Sequence, residues 1–298
     1  MMNEIFNVEN LKKTKLAKLI KYLRRKSYRR RWFWLVRFDS CVDFVNINET
    51  FNLLFDNLKE RKKTIFLRFG DGEVNIINNR DHRNQASSQE LIRELKQIFS
   101  LKGAGVVKGL PIHSDKFGKE TFMGDGVHWR PDKDATDLLS GCFEYFIGSR
   151  IYSSVPIHYL MVYERGLVLD FFKELKIHRP IFVGGEHNDT TIVEKVVGAS
   201  DIIKVPARNA YKGIDDIEKN LRKIIKIKNS DFNVVIFSCG VLAKALSRRL
   251  WLSDDLGALY LFDLGSVIDV FHGRDDWTWV RKAELDKVYI ESFINKLN

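Results

Sequence analysis

The chain has 298 residues, 45% of them apolar and 30% charged, and a formal net charge of +10. That length and apolar content suit one large α/β domain or two small ones and exclude wholesale disorder. No apolar run nears the about 18 residues a membrane-crossing helix needs, and three scattered cysteines (Cys41, Cys142, Cys239) form neither a disulfide framework nor a zinc pattern, as expected of a reducing compartment.

The charge is concentrated at one end. Residues 10–37 hold twelve Lys or Arg and no acid, whereas residues 38–298 hold 37 basic and 37 acidic residues. The expectation is a basic extension over 1–45 and a neutral domain over 46–298. In the extension Leu16, Leu19, Ile20 and Leu23 fall at helical spacing between cations, and Trp32, Phe33 and Trp34 follow. A secretory signal needs an apolar core of about seven or more residues, which this segment lacks. A basic amphipathic helix ending in Trp suits an anionic membrane surface. The same charge attracts nucleic acid without reading its sequence, and a helix packed on the domain by its leucines explains the leucines equally well.

The domain alternates strand-like and helix-like stretches. Residues 51–62 have helical periodicity, and 64–69 form a β-rich run that stops at Gly70-Asp71-Gly72. Residues 88–99 read as a helix with Ser87 or Ser88 as N-cap. A short strand at 104–107 follows, then a Gly-, Asp- and Pro-rich loop over 111–134 and helices over 135–147 and 167–175. Strands at 180–183, 201–205, 234–237 and 258–262 then alternate with helices at 190–197, 214–227 and 241–250, with Gly184-Gly185 as a turn. This alternation predicts an α/β fold, a Rossmann-like, mostly parallel sheet with helices on both faces. In such sheets ligands bind beyond the carboxyl ends of the strands. Those ends are Arg68 to Glu73, Gly184 to Asn188, Ser238 to Gly240, and Asp263 to Ser266. Neither a Walker A sequence nor a G-x-G-x-x-G after a strand is present, which argues against a P-loop or standard dinucleotide fold.

The segment Arg68-Phe69-Gly70-Asp71-Gly72-Glu73 is the richest in chemistry. On a strand, Asp71 and Glu73 share a face and could converge on Mg²⁺ or Mn²⁺, with Arg68 adding a bidentate phosphate contact. Asp-Gly at the centre of a hairpin turn explains the same residues without a ligand. Cys239 stands at an expected helix N-terminus, where a thiolate is favoured. With no histidine near it in sequence, it reads equally as a small buried residue.

This segment resembles the signature of the GT-D-type glycosyltransferases, a family with a D-x-E motif on a Rossmann-like fold. Val205-Pro206-Ala207-Arg208-Asn209-Ala210-Tyr211, the Gly240…Lys244 turn and Phe262-Asp263-Leu264-Gly265 resemble later motifs of that family, in its order, over roughly residues 60–275. Where the family places a histidine after its closing Asp-x-Gly, this chain has Ser266, and His272 comes six residues later. The resemblance implies sugar transfer from a nucleotide sugar, usually a UDP-sugar, with a divalent metal on the diphosphate. Asp71 and Glu73 then hold the metal. Arg68, Gly70, Gly72, Gly184, Gly185, Asn188, Ser238, Gly240 and Lys244 surround the donor, and Asn209 meets the nucleotide or sugar.

The acceptor hydroxyl needs a general base in such a reaction. Asp263, at a strand end, comes first, with Asp269, His187 and Asp125 as alternatives. Trp129 and His128 beside Gly124-Asp125-Gly126 could line an acceptor pocket or a plain polar loop, and Trp277 and Trp279 read as core. The expectation is thus a metal-dependent transferase acting in the cytoplasm, at or near the cytoplasmic face of a membrane, on a glycan, lipid-linked or protein-linked acceptor. Its neutral body offers nucleic acid no excess of positive charge. The rivals are a non-catalytic membrane- or nucleic-acid-binding protein acting through the basic extension, and a nucleotide-binding enzyme of another class.

Overall fold

The computed structural model describes residues 43–110, 145–274, 280 and 285–297. The chain divides into two compact units, residues 1–42 and 43–298. The expected basic helix, the 111–134 loop and nearly all of the 135–147 helix lie outside the described residues, with Asp125, His128, Trp129, Trp277 and Trp279; so does the side chain of Asp71.

In chain order the elements are β1 (Asp43–Phe44), α1 (Ile47–Lys59), β2 (Thr64–Arg68), α2 (Asp71–Ile77), α3 (Gln89–Phe99), β3 (Val106–Leu110), β4 (Arg150–Ser153), α4 (Pro156–Tyr163) and α5 (Arg165–Ile177). They continue with β5 (Ile181–Gly185), α6 (Thr190–Val197), β6 (Asp201–Val205), a 3₁₀ turn (Ala210–Gly213), α7 (Ile214–Lys228), β7 (Phe232–Ser238), α8 (Val241–Trp251), β8 (Ala258–Asp263), α9 (Val267–Phe271) and α10 (Lys287–Leu297). Helix starts follow side-chain chemistry. Asn46 caps α1 by accepting the Glu49 N–H at 2.8 Å, so the helix begins four residues before its expected start. Ser88 caps α3 through the Leu91 N–H at 3.2 Å. Strand β4 and helix α4 have no counterpart among the expected elements.

The strands lie in the order β1-β4-β3-β2-β8-β7-β5-β6, and every pairing is parallel. Helices α2, α3, α7 and α8 pack together as one layer, and α1, α4, α5, α6, α9 and α10 as the other. A sheet covered on both faces wants uninterrupted apolar strands. In β7 the run Val234–Phe237 obeys, with all four residues buried. The phenylalanines carry the core across the sheet: the Phe66 and Phe171 rings each pack tilted against Phe262, with ring centroids 5.1 and 5.3 Å away. Each such buried ring contributes roughly 1.5–3 kcal/mol through burial.

The topology sets the site. Strand β5 leads outward to β6, whereas its neighbour β7 leads inward to β8. The following helices therefore leave toward opposite faces, α6 with one layer and α8 with the other. A crevice opens where neighbouring strands diverge in this way, at their carboxyl ends.

Candidate functional site at the carboxyl ends of the strands

Strands β2, β8, β7 and β5 are neighbours, so their ends form one row: Arg68, Asp263, Ser238 and Gly184. After β2 the chain makes neither a hairpin nor a broken strand. Gly70 is the N-cap of α2, and Glu73, at its third helical position, reaches back to accept the Gly70 N–H at 2.8 Å. The backbone at Asp71 and Glu73 is thus the start of a helix, not the strand on which the two would share a face. Residues two apart share a face on a strand but not on a helix.

Glu73 instead points into the protein and is 5% exposed. Its other oxygen takes the Lys244 ammonium at 2.8 Å, and Lys244 also meets Asp263 Oδ2 at 2.8 Å and donates to the Gly240 carbonyl at 3.2 Å. Asp263 Oδ1 accepts the Gly265 N–H at 3.1 Å. Burial works against the Lys244 charge, yet the carboxylates of Asp263 and Glu73 outweigh it and raise its pKa. Burial likewise opposes the Glu73 charge, but Lys244 and the Gly70 amide hold its pKa below the ordinary carboxylate range. A buried ion cluster is tolerable only when its charges are well paired, and Lys244 meets two carboxylates and a carbonyl here.

Arg68 is similarly committed. It donates to the Ser154 carbonyl through Nε and to the Leu264 carbonyl at 3.1 Å, and it lies 3.3 Å from His158 Nε2. Burial lowers its pKa, and Asp263 and Glu73 partly restore it. His158, 3% exposed, is pushed well down by burial and then by Arg68, so it stays neutral. Nothing in the sequence pattern pointed to His158 or Ser154, because their role is to brace Arg68 from a strand and helix that carry no motif.

The expected donor residues thus separate into two groups. Arg68, Glu73, Lys244 and Asp263 form an internal, charge-balanced brace, and Asp263 is held as a partner of Lys244 rather than exposed as a base. In this arrangement both Glu73 oxygens are engaged, and an ammonium stands between Glu73 and Asp263.

The second group lines the crevice. Gly240 has φ +59° and begins α8 at an exposed point with open space where a side chain would stand. No side chain of its own therefore covers the start of α8 at Gly240. Ser238 Oγ donates to the Gly265 carbonyl at 2.7 Å, tying β7 to the turn after β8. Gly184 and Gly185 end β5 as strand residues rather than as a turn; a Cβ on Gly184 would overlap Phe182 and the Asn188 amide. Asn188 is 1% exposed, and neither its amide nitrogen nor its amide oxygen has a hydrogen-bond partner. Such an orphan is costly and calls for an explanation. Burial, reinforced by the Asp263 charge, pushes the Cys239 thiol up and removes the thiolate expectation.

Asn209 lies elsewhere. Its left-handed backbone and its side-chain oxygen join the 206–213 segment to the loop after α2, through Ala86 N at 2.8 Å and Asn84 O at 2.8 Å. With Asp81, His82, Arg83 and Arg208 it lines a separate cleft beyond β6. Gly72 packs against the His82 ring at the base of that loop.

A family model described as the glycosyltransferase GT-D fold matches residues 66–293. Among solved structures, the chain is similar to a selenomethionine-substituted domain of unknown function 1792 (TM-score 0.56, 19% identity, 81% of this chain and 84% of that one). It is similar to a structure of that domain described as having a distinct glycosyltransferase fold (TM-score 0.55, 18% identity, 81% and 84%). A further match is described as a new glycosyltransferase of the same domain from Streptococcus sanguinis (TM-score 0.55, 20% identity, 78% and 84%). No curated protein matches the chain significantly.

Proposed function

Because the chain belongs to the GT-D glycosyltransferase fold family, we propose that it transfers a sugar from a nucleotide-sugar donor of the UDP-sugar type to a hydroxyl of a glycan, lipid-linked or protein-linked acceptor. The observation that carries this reading is the open N-terminus of α8 at Gly240, in the crevice between β7 and β5. In sugar transfer the nucleoside diphosphate leaves with growing negative charge. Outward amides at a helix N-terminus, with the helix dipole behind them, stabilise that charge without having to reorganise.

The brace beneath has a different task. Two cations face two carboxylates there, so it offers the diphosphate little net attraction. It fixes instead the turns after β2, β7 and β8, to which Gly70, Gly240 and Gly265 belong. The orphaned Asn188 amide is an unspent donor and acceptor beside the crevice, which suits a hydroxyl of the donor.

Calorimetry with UDP, UDP-glucose, UDP-galactose and UDP-N-acetylglucosamine tests the reading, in EDTA and again with Mn²⁺ so that any ion effect separates from the nucleotide's own affinity. Saturable binding of UDP and at least one donor is expected. Gly240→Val puts a branched side chain in front of the amides and weakens UDP at least tenfold, about 1.4 kcal/mol. Failure of every nucleotide to bind under both conditions would sink the proposal.

A further inference from the structure

We infer that His187 is the general base of the transfer, positioned by Asp269, and that the reaction is a single displacement inverting the anomeric carbon. This deepens the proposed transferase reading and rests on it. Among the described residues, His158, His187 and His272 stand near the ends of β4, β5 and β8, and two of them are spent. His158 is buried against Arg68. His272 donates from Nδ1 to the Ile268 carbonyl at 2.9 Å and accepts the Asp189 N–H on Nε2 at 2.8 Å. His187 differs: its side chain is 37% exposed, and its Nε2 lies 3.4 Å from Asp269 Oδ1. The carboxylate accepts the Nε2 proton, which leaves Nδ1 as a proton acceptor. This is the base-plus-orienter arrangement that proton abstraction requires.

The loop is built to hold that ring. The residue beneath it is Gly185, where a Cβ would overlap the imidazole, so the ring lies directly over the backbone. Glu186 is tied to the end of β6 by its N–H to Val205 O at 2.9 Å and by its side chain accepting the Ala207 N–H at 3.3 Å. Asp189 caps α6 through the Thr191 and Ile192 amides while its own N–H meets His272. His187 is thus pinned on both sides, and α9 supplies both partners of the loop, Asp269 and His272.

Its placement suits the acceptor side. Gly184 pairs with Ser238, and Phe237 pairs with Asp263. At about 4.8 Å per strand, His187 stands roughly two strands from the brace, with the Gly240 amides between them. Of the described carboxylates at the strand ends, Glu73 and Asp263 are both held by Lys244. In the step, the acceptor oxygen bonds to the anomeric carbon as its proton passes to His187 Nδ1. The bond from that carbon to the donor phosphate oxygen breaks, and its electron pair leaves on the nucleoside diphosphate. One displacement gives inversion.

The charged groups facing His187 are Asp269, Arg274 (3.9 Å from Asp269 Oδ1) and His272 from α9 and its end, and Glu186 and Asp189 from its own loop.

The test uses the full chain, the UDP-sugars above and water as the acceptor. Sugar release should be lost by about 10²–10⁴-fold in His187→Ala, with UDP affinity and melting temperature unchanged, and added imidazole should restore part of it. A general base that must be unprotonated gives the wild type a low-pH limb, and this limb should be absent in His187→Gln. Asp269→Asn should lower turnover and move the low-pH limb, which a merely structural role would not do. Gly185→Ala, which displaces the ring without removing it, should lower turnover as well. Proton NMR of fresh product should show the β-anomer from an α-linked donor. Turnover of His187→Ala within twofold of wild type, or a product of retained configuration, overturns the assignment. A wild type that binds donors but releases no sugar overturns this assignment alone; one that binds no nucleotide overturns the transferase reading itself.

Discussion

Lys108 shows how the surroundings of a single residue decide its chemistry. It is 3% exposed, and among the described residues its ammonium meets the Phe99 carbonyl at 2.9 Å, the Ile147 carbonyl and the face of the Phe146 ring, 4.1 Å to its centroid. Burial pulls its pKa down to about 8. The folded protein then releases this proton before the unfolded chain does, so stability rises with pH from about 8 to the ordinary lysine range, and the charged form is a burden at neutral pH. Lys108→Met removes this dependence. Urea melts should therefore show the advantage of the variant over wild type shrinking by about 2 kcal/mol between pH 7 and pH 10; a constant difference would mean that Lys108 does not titrate as described. Lys244 is as deeply buried and shifts the opposite way, because Glu73 and Asp263 face it. The sequence marks Lys244 through its motif, but it cannot mark Lys108, whose surroundings come from α3 and the 145–148 segment rather than from its own strand.

At the scale of elements, the carboxyl ends of the strands are where sequence reading and structure part. Glycine tolerates strand, turn and helix-start geometry alike, so Gly70, Gly184 and Gly185 identified the right places without fixing their conformation. Helix α6 and strand β6 were legible to the residue because Asp189 caps one end of α6 and left-handed Gly198 stops the other. Helix α4 was not: its PIHYLMVY is apolar nearly all round, so no 3.6-residue period stands out. Gly265 shows what a strand-end glycine protects. It turns the chain after β8 at φ +62°, and a Cβ there would overlap the Arg68 guanidinium. Gly265→Ala combines left-handed strain with displacement of Arg68 and should cost about 2 kcal/mol or more. Thermal melts measure the loss, and a fall in UDP affinity should accompany it, since Ser238 also holds the Gly265 carbonyl. An unchanged melting temperature would show that the turn can relax without Arg68.

For the whole molecule, the sequence separates charge from chemistry. The strand-end row lies in the domain over residues 43–298, whereas the excess of positive charge lies in 10–37. Among the described residues no helix is long and apolar enough to cross a membrane. The twelve cations of residues 10–37 would draw the extension to an anionic lipid surface electrostatically. Each cation near such a surface contributes about 1 kcal/mol. Replacing Arg29, Arg30 and Arg31 together by Gln should therefore weaken sedimentation with phosphatidylserine-containing vesicles by about a hundredfold at low salt. High salt should erase the difference, because screening acts on the same attraction. Sugar release from a soluble donor should be the same for both proteins, since the substituted residues belong to the other unit. Vesicle binding that survives both the substitution and high salt would make lipid contact an apolar property instead. Loss of vesicle binding and sugar release together would mean that the extension takes part in the chemistry as well as in placing the protein.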